Sequence, residues 1–173
     1  MTVMRKYRLF PFFRDTGAAA AAEMALILPM LLTIMFGGLE AGAYLWTEHK
    51  VIKGVRDGAR FAARQPFSSF SCSAMTNNTA LTQVKNLTRT GQLTGGTAKV
   101  AGWGDNQVNV VVACNAPVAN SYTSGGLYKT QTGGAIHVTV SAEVPYPSLF
   151  QSLGFDTSDV VVKSSAHAAV MGT

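Results

Sequence analysis

Between Glu23 and Glu40 lie 16 consecutive uncharged, mostly apolar residues. The alanines before Glu23 and the segment Ala41–Trp46 extend this low-polarity stretch to 30 positions, residues 17–46. A helix of that length measures about 45 Å, more than the about 30 Å of a bilayer's hydrocarbon core. The first expectation is therefore a membrane-inserted helix. Two residues are unusual for a simple anchor. An acidic side chain at the centre of a membrane helix costs roughly 2.5–3.5 kcal/mol. Glu23 must therefore either lie at headgroup level, where the cost is small, or meet a cationic partner in an assembled state. Pro29 removes one backbone donor and crowds the carbonyl four residues back, so a kink or local loosening is expected there.

The charge distribution supports the same division. Residues 1–66 carry a net +4 and residues 67–173 only +1, out of a total of +5. Ahead of the apolar stretch, residues 1–15 form a basic leader with Arg5, Lys6, Arg8 and Arg14. A flank to a membrane segment explains this leader more simply than nucleic-acid binding does. Only 13% of the chain is charged and 47% is hydrophobic, against about 25% charged in an average soluble domain. Intrinsic disorder is excluded by that apolar content. Two cysteines are too few for a disulfide-framed miniprotein or a structural zinc domain.

Three maturation routes fit the N-terminal third. It is a cleaved signal peptide with Ala41-Gly42-Ala43 as the cleavage site, a permanent single-span anchor, or a prepilin-type leader cut just before a hydrophobic stretch that stays on the mature protein. The signal-peptide route places Glu40 inside a recognition region that is normally uncharged. It also leaves residues 44–64 unexplained, and these read as a direct helical continuation. Leu45, Ile52, Val55, Ala59 and Ala62 follow one helical face. Lys53/Asp57 and Asp57/Arg60 are spaced to pair on the exposed side. Gln65-Pro66 supplies the stop. One helix over about 18–64 would be about 70 Å long, apolar at the front and amphipathic at the back.

The residues that carry a family likeness are now in view: Gly17 followed by small residues, Glu23, the ALILPMLL run, Gly37-Gly38-Leu39-Glu40, and Val55-Arg56-Asp57-Gly58-Ala59-Arg60-Phe61-Ala62-Ala63. Together they resemble the TadE-like family, pseudopilin-type proteins of Tad (Flp, type IVc) pilus systems. The likeness is strongest over about residues 14–64. It extends more loosely towards the end of the chain, through an alternating strand, a Pro-aromatic-Pro break, a short apolar segment and a closing small-residue strand ending near Ala168-Ala169-Val170-Met171. The resemblance implies a minor pilin needed to assemble or prime a pilus used in surface adhesion. It implies processing by prepilin peptidase, an aspartic membrane protease, on the cytoplasmic side of the inner membrane. Such substrates usually carry a small residue before the cut and glutamate as the fifth mature residue. A cut after Gly17 makes Glu23 the sixth residue, and a cut after Ala18 makes it the fifth. The register favours Ala18, leaving Ala19 as the new N-terminus.

A freshly exposed ammonium would lie a little over one turn from Glu23, giving the costly acid a cation to meet. The implied partners are prepilin peptidase, other pilins or pseudopilins and the inner-membrane assembly platform. No nucleic acid, small-molecule substrate, cofactor or metal is implied, and the chain is not expected to be an enzyme. Glu23, Pro29 and Glu40 are the candidate assembly residues of the helix. The leader is expected in the cytoplasm and the C-terminal domain in the periplasm, with incorporation into an extracellular pilus as the end point. The expected organisation is a leader over 1–18, a transmembrane helix and stalk over 19–64, and an extracytoplasmic α+β domain over 65–173. The alternative is an uncleaved single-span envelope protein presenting a periplasmic interaction domain. An exported enzyme released after Ala43 would need a nucleophile or metal set, and the sequence offers none.

Within the C-terminal domain, residues 67–78 read as a loop. Asn78 or Thr79 is a candidate N-cap, and Ala80, Leu81, Val84 and Leu87 mark a helix to about Arg89, ended by Gly91. Strands are expected at Lys99–Ala101, Gln107–Cys114, Ile136–Val144 and Val160–Met171, with a short helix at Ser148–Leu153. The fold class is α+β: a long N-terminal helix, then a small antiparallel, pilin-like sheet with one helix on a face. Cys72 and Cys114, in an exported domain, are expected as a disulfide whose loop closure contributes at most about 4 kcal/mol; two buried free thiols are the alternative. His49, His137 and His167 have no carboxylate or cysteine spacing that suggests a metal site. Gly95-Gly96, Gly125-Gly126 and Gly133-Gly134 read as turns, not phosphate loops.

Overall fold

The computed structural model describes residues 16–115, 126–128 and 133–172. The basic leader up to Asp15 and the Gly125 half of one glycine pair lie outside the described residues. The chain is α+β. Helix α1 spans Thr16–Ala63 and α2 spans Asn78–Thr90; strands β1 (Val108–Asn115), β2 (Ala135–Pro145) and β3 (Val161–Ala169) form one antiparallel sheet in the order β1-β2-β3. The chain divides into two units after Gly42, within α1.

Alanine, leucine and methionine dominate the front of α1, and all favour helix. The element continues unbroken through Pro29, where the Thr33 hydroxyl donates to the Pro29 carbonyl at 2.8 Å. Pro66 ends the run. It caps a 3-10 turn at Phe67–Ser69, and the last amides of α1 fold back in short turn bonds, Gln65 N to Ala62 O at 3.0 Å.

In the second unit, the back of α1 forms a layer of the core with α2 and the sheet. Its buried positions are Thr47, Val51, Gly54, Val55, Gly58, Ala59, Ala62 and Ala63. The apolar face expected from Leu45, Ile52, Val55, Ala59 and Ala62 is thus rotated: Leu45 is 54% exposed and Ile52 half-buried. The cause is close helix packing through small residues. A Cβ on Gly54 would strike the Thr88 carbonyl oxygen, and one on Gly58 the Thr88 hydroxyl. Glycine lets α2 approach here, and the larger Leu45 and Ile52 are turned away from that contact.

The cap of helix α2 lies one residue before the expected ones. The Asn77 side chain accepts from Ala80 N at 3.1 Å, satisfying one of the four orphan donors of a helix start. Gly91 closes it in the left-handed region at φ 83°. Its buried row is Ala80, Val84 and Thr88, and Thr88 hides its hydroxyl by donating to Val84 O at 2.7 Å.

No strand forms at Lys99–Ala101, contrary to expectation. The Lys99 amide donates to Arg89 O at the end of α2, and a tight turn joins Trp103 N to Val100 O. Val100 and Trp103 are plugs in the core, so the apolar pattern there reflects burial and not pairing. Arg89 holds the segment down through an ion pair with Asp105 and a bond to Trp103 O at 3.2 Å. Along β2, Ile136, Val138, Val140, Ala142 and Val144 alternate inward, as period-two patterning requires. β3 ends where Met171 N reaches Ala63 O at 2.9 Å.

Candidate functional site

The front of α1 has a surface no ordinary soluble helix carries. Eleven large apolar side chains from Met24 to Leu39 are exposed, from Leu32 at 37% to Leu26 at 81%. They occur on every side of the helix. This is the pattern of a helix that needs an apolar surrounding all round. At roughly 1.5–3 kcal/mol per side chain, their removal from water is worth on the order of 20 kcal/mol. The stretch itself holds no acid; Glu23 and Glu40, at its two ends, cost a few kcal/mol each at most. The balance is one-sided, and the helix is long and apolar enough to cross a membrane.

Gly17, Ala18, Ala19 and Glu23 all fall within α1, whose first residue is Thr16. Gly17, Ala19 and Glu23 are exposed. Ala19 and Glu23 stand four residues apart, one above the other on one helical face. Glu23 has no ion-pair partner among the described residues. Glu40 is half-buried and closes the apolar run on the other side. Pro29 sits six residues after Glu23, about 1.7 turns, in an element that remains helical.

At the start of the domain, Cys72 and Cys114 are joined as a disulfide. Cys72 sits at the tip of a miniature hairpin in which Phe70 and Met75 pair and Ser71 N donates to Ala74 O at 2.8 Å. Cys114 is the penultimate residue of β1. Gly133 lies against the bridge: a Cβ there would collide with the Cys72 sulfur and approach Cys114 Sγ to 3.1 Å. The glycine pair at 133–134 is therefore more than a turn. Gly134 supplies the positive φ of 80°, and Gly133 the room for sulfur.

Among the described residues, no three His, Cys, Asp or Glu side chains gather into a metal-binding group. His49 is exposed on α1. His137 and His167 lie on the outer face of the sheet, where His137 Nε2 meets the Asn115 amide at 3.2 Å and His167 Nδ1 meets the Thr139 hydroxyl at 2.8 Å. An open recess on this face is lined by Asn106, Asn109, Ser141 and the Glu143–Lys163 ion pair.

The apolar helix with its leading glutamate and the VRDGAR segment after it fall in the part of the chain that a known family model matches. Residues 17–60 match the TadE-like protein family. The match covers the span, Glu23, Pro29, Glu40 and the glycine pair Gly54 and Gly58, and it associates the chain with Tad pilus machinery. The family is not known for enzymatic activity. No curated protein and no solved structure matches the chain.

The small-residue contact of Gly54 and Gly58 with Thr88 was missed in the sequence reading, although its signal, G-x-x-x-G on a helix, is visible there. Nothing in the sequence marks Gly133 as the neighbour of a disulfide.

Proposed function

We propose that this chain is a TadE-like minor pilin that is trimmed by prepilin peptidase and takes part in assembling or priming a Tad pilus. The observation that carries this reading is the all-round apolar exposure of residues 24–39 directly behind Glu23. A cut after Ala18 leaves that surface on the mature protein and makes Glu23 its fifth residue. The Ala19 ammonium and the Glu23 carboxylate then share one helical face. An acid in hydrocarbon becomes tolerable when a cation meets it, so Glu23 pairs with its own or a neighbour's new N-terminus as stems pack together. Pro29 gives the stem a place to bend as the subunit leaves the lipid.

The leader stays in the cytoplasm and the domain beyond Gly42 faces the periplasm. The Cys72–Cys114 bridge suits an oxidising compartment. Continuity of α1 across Ala41-Gly42-Ala43, with the Thr47 hydroxyl bonded to Ala43 O at 2.9 Å, favours retention of the span over release at that site.

The test is Glu23→Ala in cells that build the pilus. Membrane insertion of the variant is expected to be normal and pilus formation impaired. Wild-type piliation by the variant would remove the ion pair from the mechanism.

A further inference from the structure

The turn between β2 and β3 presents apolar side chains outward on an ordered frame. Leu149 is 52% exposed, Phe155 62% and Val160 39%. The Ser148 hydroxyl accepts from Phe150 N at 3.1 Å. Phe150–Leu153 form a 3-10 turn, capped by Gly154 at φ 91°. Phe155 N returns to Phe150 O at 3.2 Å, and the two phenyl rings meet edge-to-face at 5.8 Å. The outward position of Phe155 is thus built by hydrogen bonds and ring packing.

Single exposed apolar residues on a domain need no explanation. These gain one from what stands beside them. Tyr146, which opens the turn, packs its ring edge-to-face on Tyr44 of α1 at 5.2 Å. The turn therefore lies at the end of the domain where Tyr44 stands. The next residues, Leu45 and Trp46, are 54% and 65% exposed. Lys50 Nζ stands 5.5 Å from the Trp46 ring centroid. Tyrosine, tryptophan and lysine at the end of an apolar helix are the side chains that settle at a membrane's headgroup layer. The arithmetic agrees: counted from Met24, about 30 Å of helix, the thickness of the hydrocarbon core, reaches Ala43, with Glu40 about one turn inside that boundary and within reach of the headgroups, so Tyr44 is the first residue beyond the core.

We infer that the Leu149–Phe155 turn is a second membrane contact, resting its apolar side chains in the headgroup layer of the bilayer that α1 crosses. The inference rests on the reading of residues 24–43 as a span. Its depth is limited by Asp156 and Asp159. The Asp156 carboxyl accepts from Ser158 Oγ at 2.7 Å and from Ser158 N at 3.1 Å, bonds that hold it below the usual carboxylate range. It stays charged, so Phe155 enters only the boundary between headgroups and acyl chains. A far-end control is built into the molecule. Leu127 is also apolar and 53% exposed, but its neighbour Tyr128 bonds to Val170 O at 2.7 Å, at the end where β3 finishes.

The experiment places an environment-sensitive fluorophore on single introduced cysteines, Leu31→Cys, Phe155→Cys, Leu149→Cys and Leu127→Cys. The full chain is used, native disulfide intact, in phosphatidylcholine vesicles with and without nitroxide-bearing lipid. Probes at 31, 149 and 155 are expected to shift to the blue and lose emission to the nitroxide, while the probe at 127 does neither. Quenching at 31 without quenching at 149 and 155 overturns the inference and leaves the span standing. Quenching at 127 equal to that at 155 overturns it too, because the whole domain then adsorbs to lipid. A blue shift at 155 without lipid quenching overturns it in favour of a protein neighbour. No quenching at 31 removes the span and the inference together.

Discussion

From Met24 to Leu39 every side chain of α1 is exposed, whereas from Thr47 to Ala63 the same helix buries eight residues. The front has no preferred face because leucine, isoleucine and methionine surround the axis. The back has one, and it is lined by valine, alanine and glycine. What differs is the kind of neighbour each half requires. A helix apolar on all sides is satisfied by a medium, and a helix with a small-residue stripe by a particular surface, here Thr88 and Val84 of α2. The first half tolerates many exchanges of one apolar side chain for another. The second tolerates few, since packed interiors respond to single methylene groups.

The two tryptophans of the chain give the widest contrast. Trp103 is 2% exposed and Trp46 65%. Trp103→Ala is expected to lower the unfolding free energy of the domain by about 3–5 kcal/mol, and Trp46→Ala to change it by no more than about 0.5 kcal/mol. Denaturant titration in mild detergent, followed by circular dichroism, measures both. Equal losses would break the comparison.

Reducing the Cys72–Cys114 bridge is expected to cost the domain up to about 4 kcal/mol while the helicity of the front of α1 persists. Melts recorded with and without reductant separate the two signals. A front half that melts along with the reduced domain would mean that its helix depends on tertiary contacts.

A glycine pair sharpens the contrast further. Gly58→Ala drives a methyl into the Thr88 hydroxyl and is expected to cost about 1–3 kcal/mol. At Gly42 a Cβ meets nothing within 4 Å, so Gly42→Ala is expected to be neutral or to add up to about 1 kcal/mol of helix stability.

The smallest expected effect is at Lys99. Partial desolvation holds its ammonium below the ordinary 10.5; Asp57 opposes this and Lys53 adds to it. The folded state therefore gives up the Lys99 proton at lower pH than the unfolded chain does. The resulting penalty is full at neutral pH and fades as pH rises towards 10.5. The stability advantage of Lys99→Met over the native chain is expected to shrink over that rise. An advantage that grows with pH would reverse the sign.

Much of this division was legible in the sequence, and the reasons differ by element. The span announced itself through the absence of charge between Glu23 and Glu40, a signal that needs no tertiary context. Helix α2 was bracketed by Asn78 or Thr79 and Gly91, one residue late at its start, because caps are local chemistry. β2 showed in strict alternation. The failures share a cause: each was decided by a neighbour distant in sequence. Val100 reads as strand and serves as a plug because Arg89 and Trp103 turn the chain around it. Leu45 and Ile52 read as core, yet Gly54 and Gly58 set which face packs. Of the candidate site, Glu23 and Pro29 stood out as chemical exceptions in an apolar run. The Leu149–Phe155 turn did not, since its significance depends on the Tyr44–Tyr146 contact.

The central claim is that the apolar front of α1 stays on the mature protein after a leader is removed. Intact mass of the chain extracted from membranes, with and without prepilin peptidase in the cell, tests it most directly. The expected result is the mass of a protein beginning at Ala19 when the peptidase is present, and of the unprocessed chain when it is absent. A mature form that begins at Tyr44, or one whose mass is indifferent to the peptidase, would contradict it.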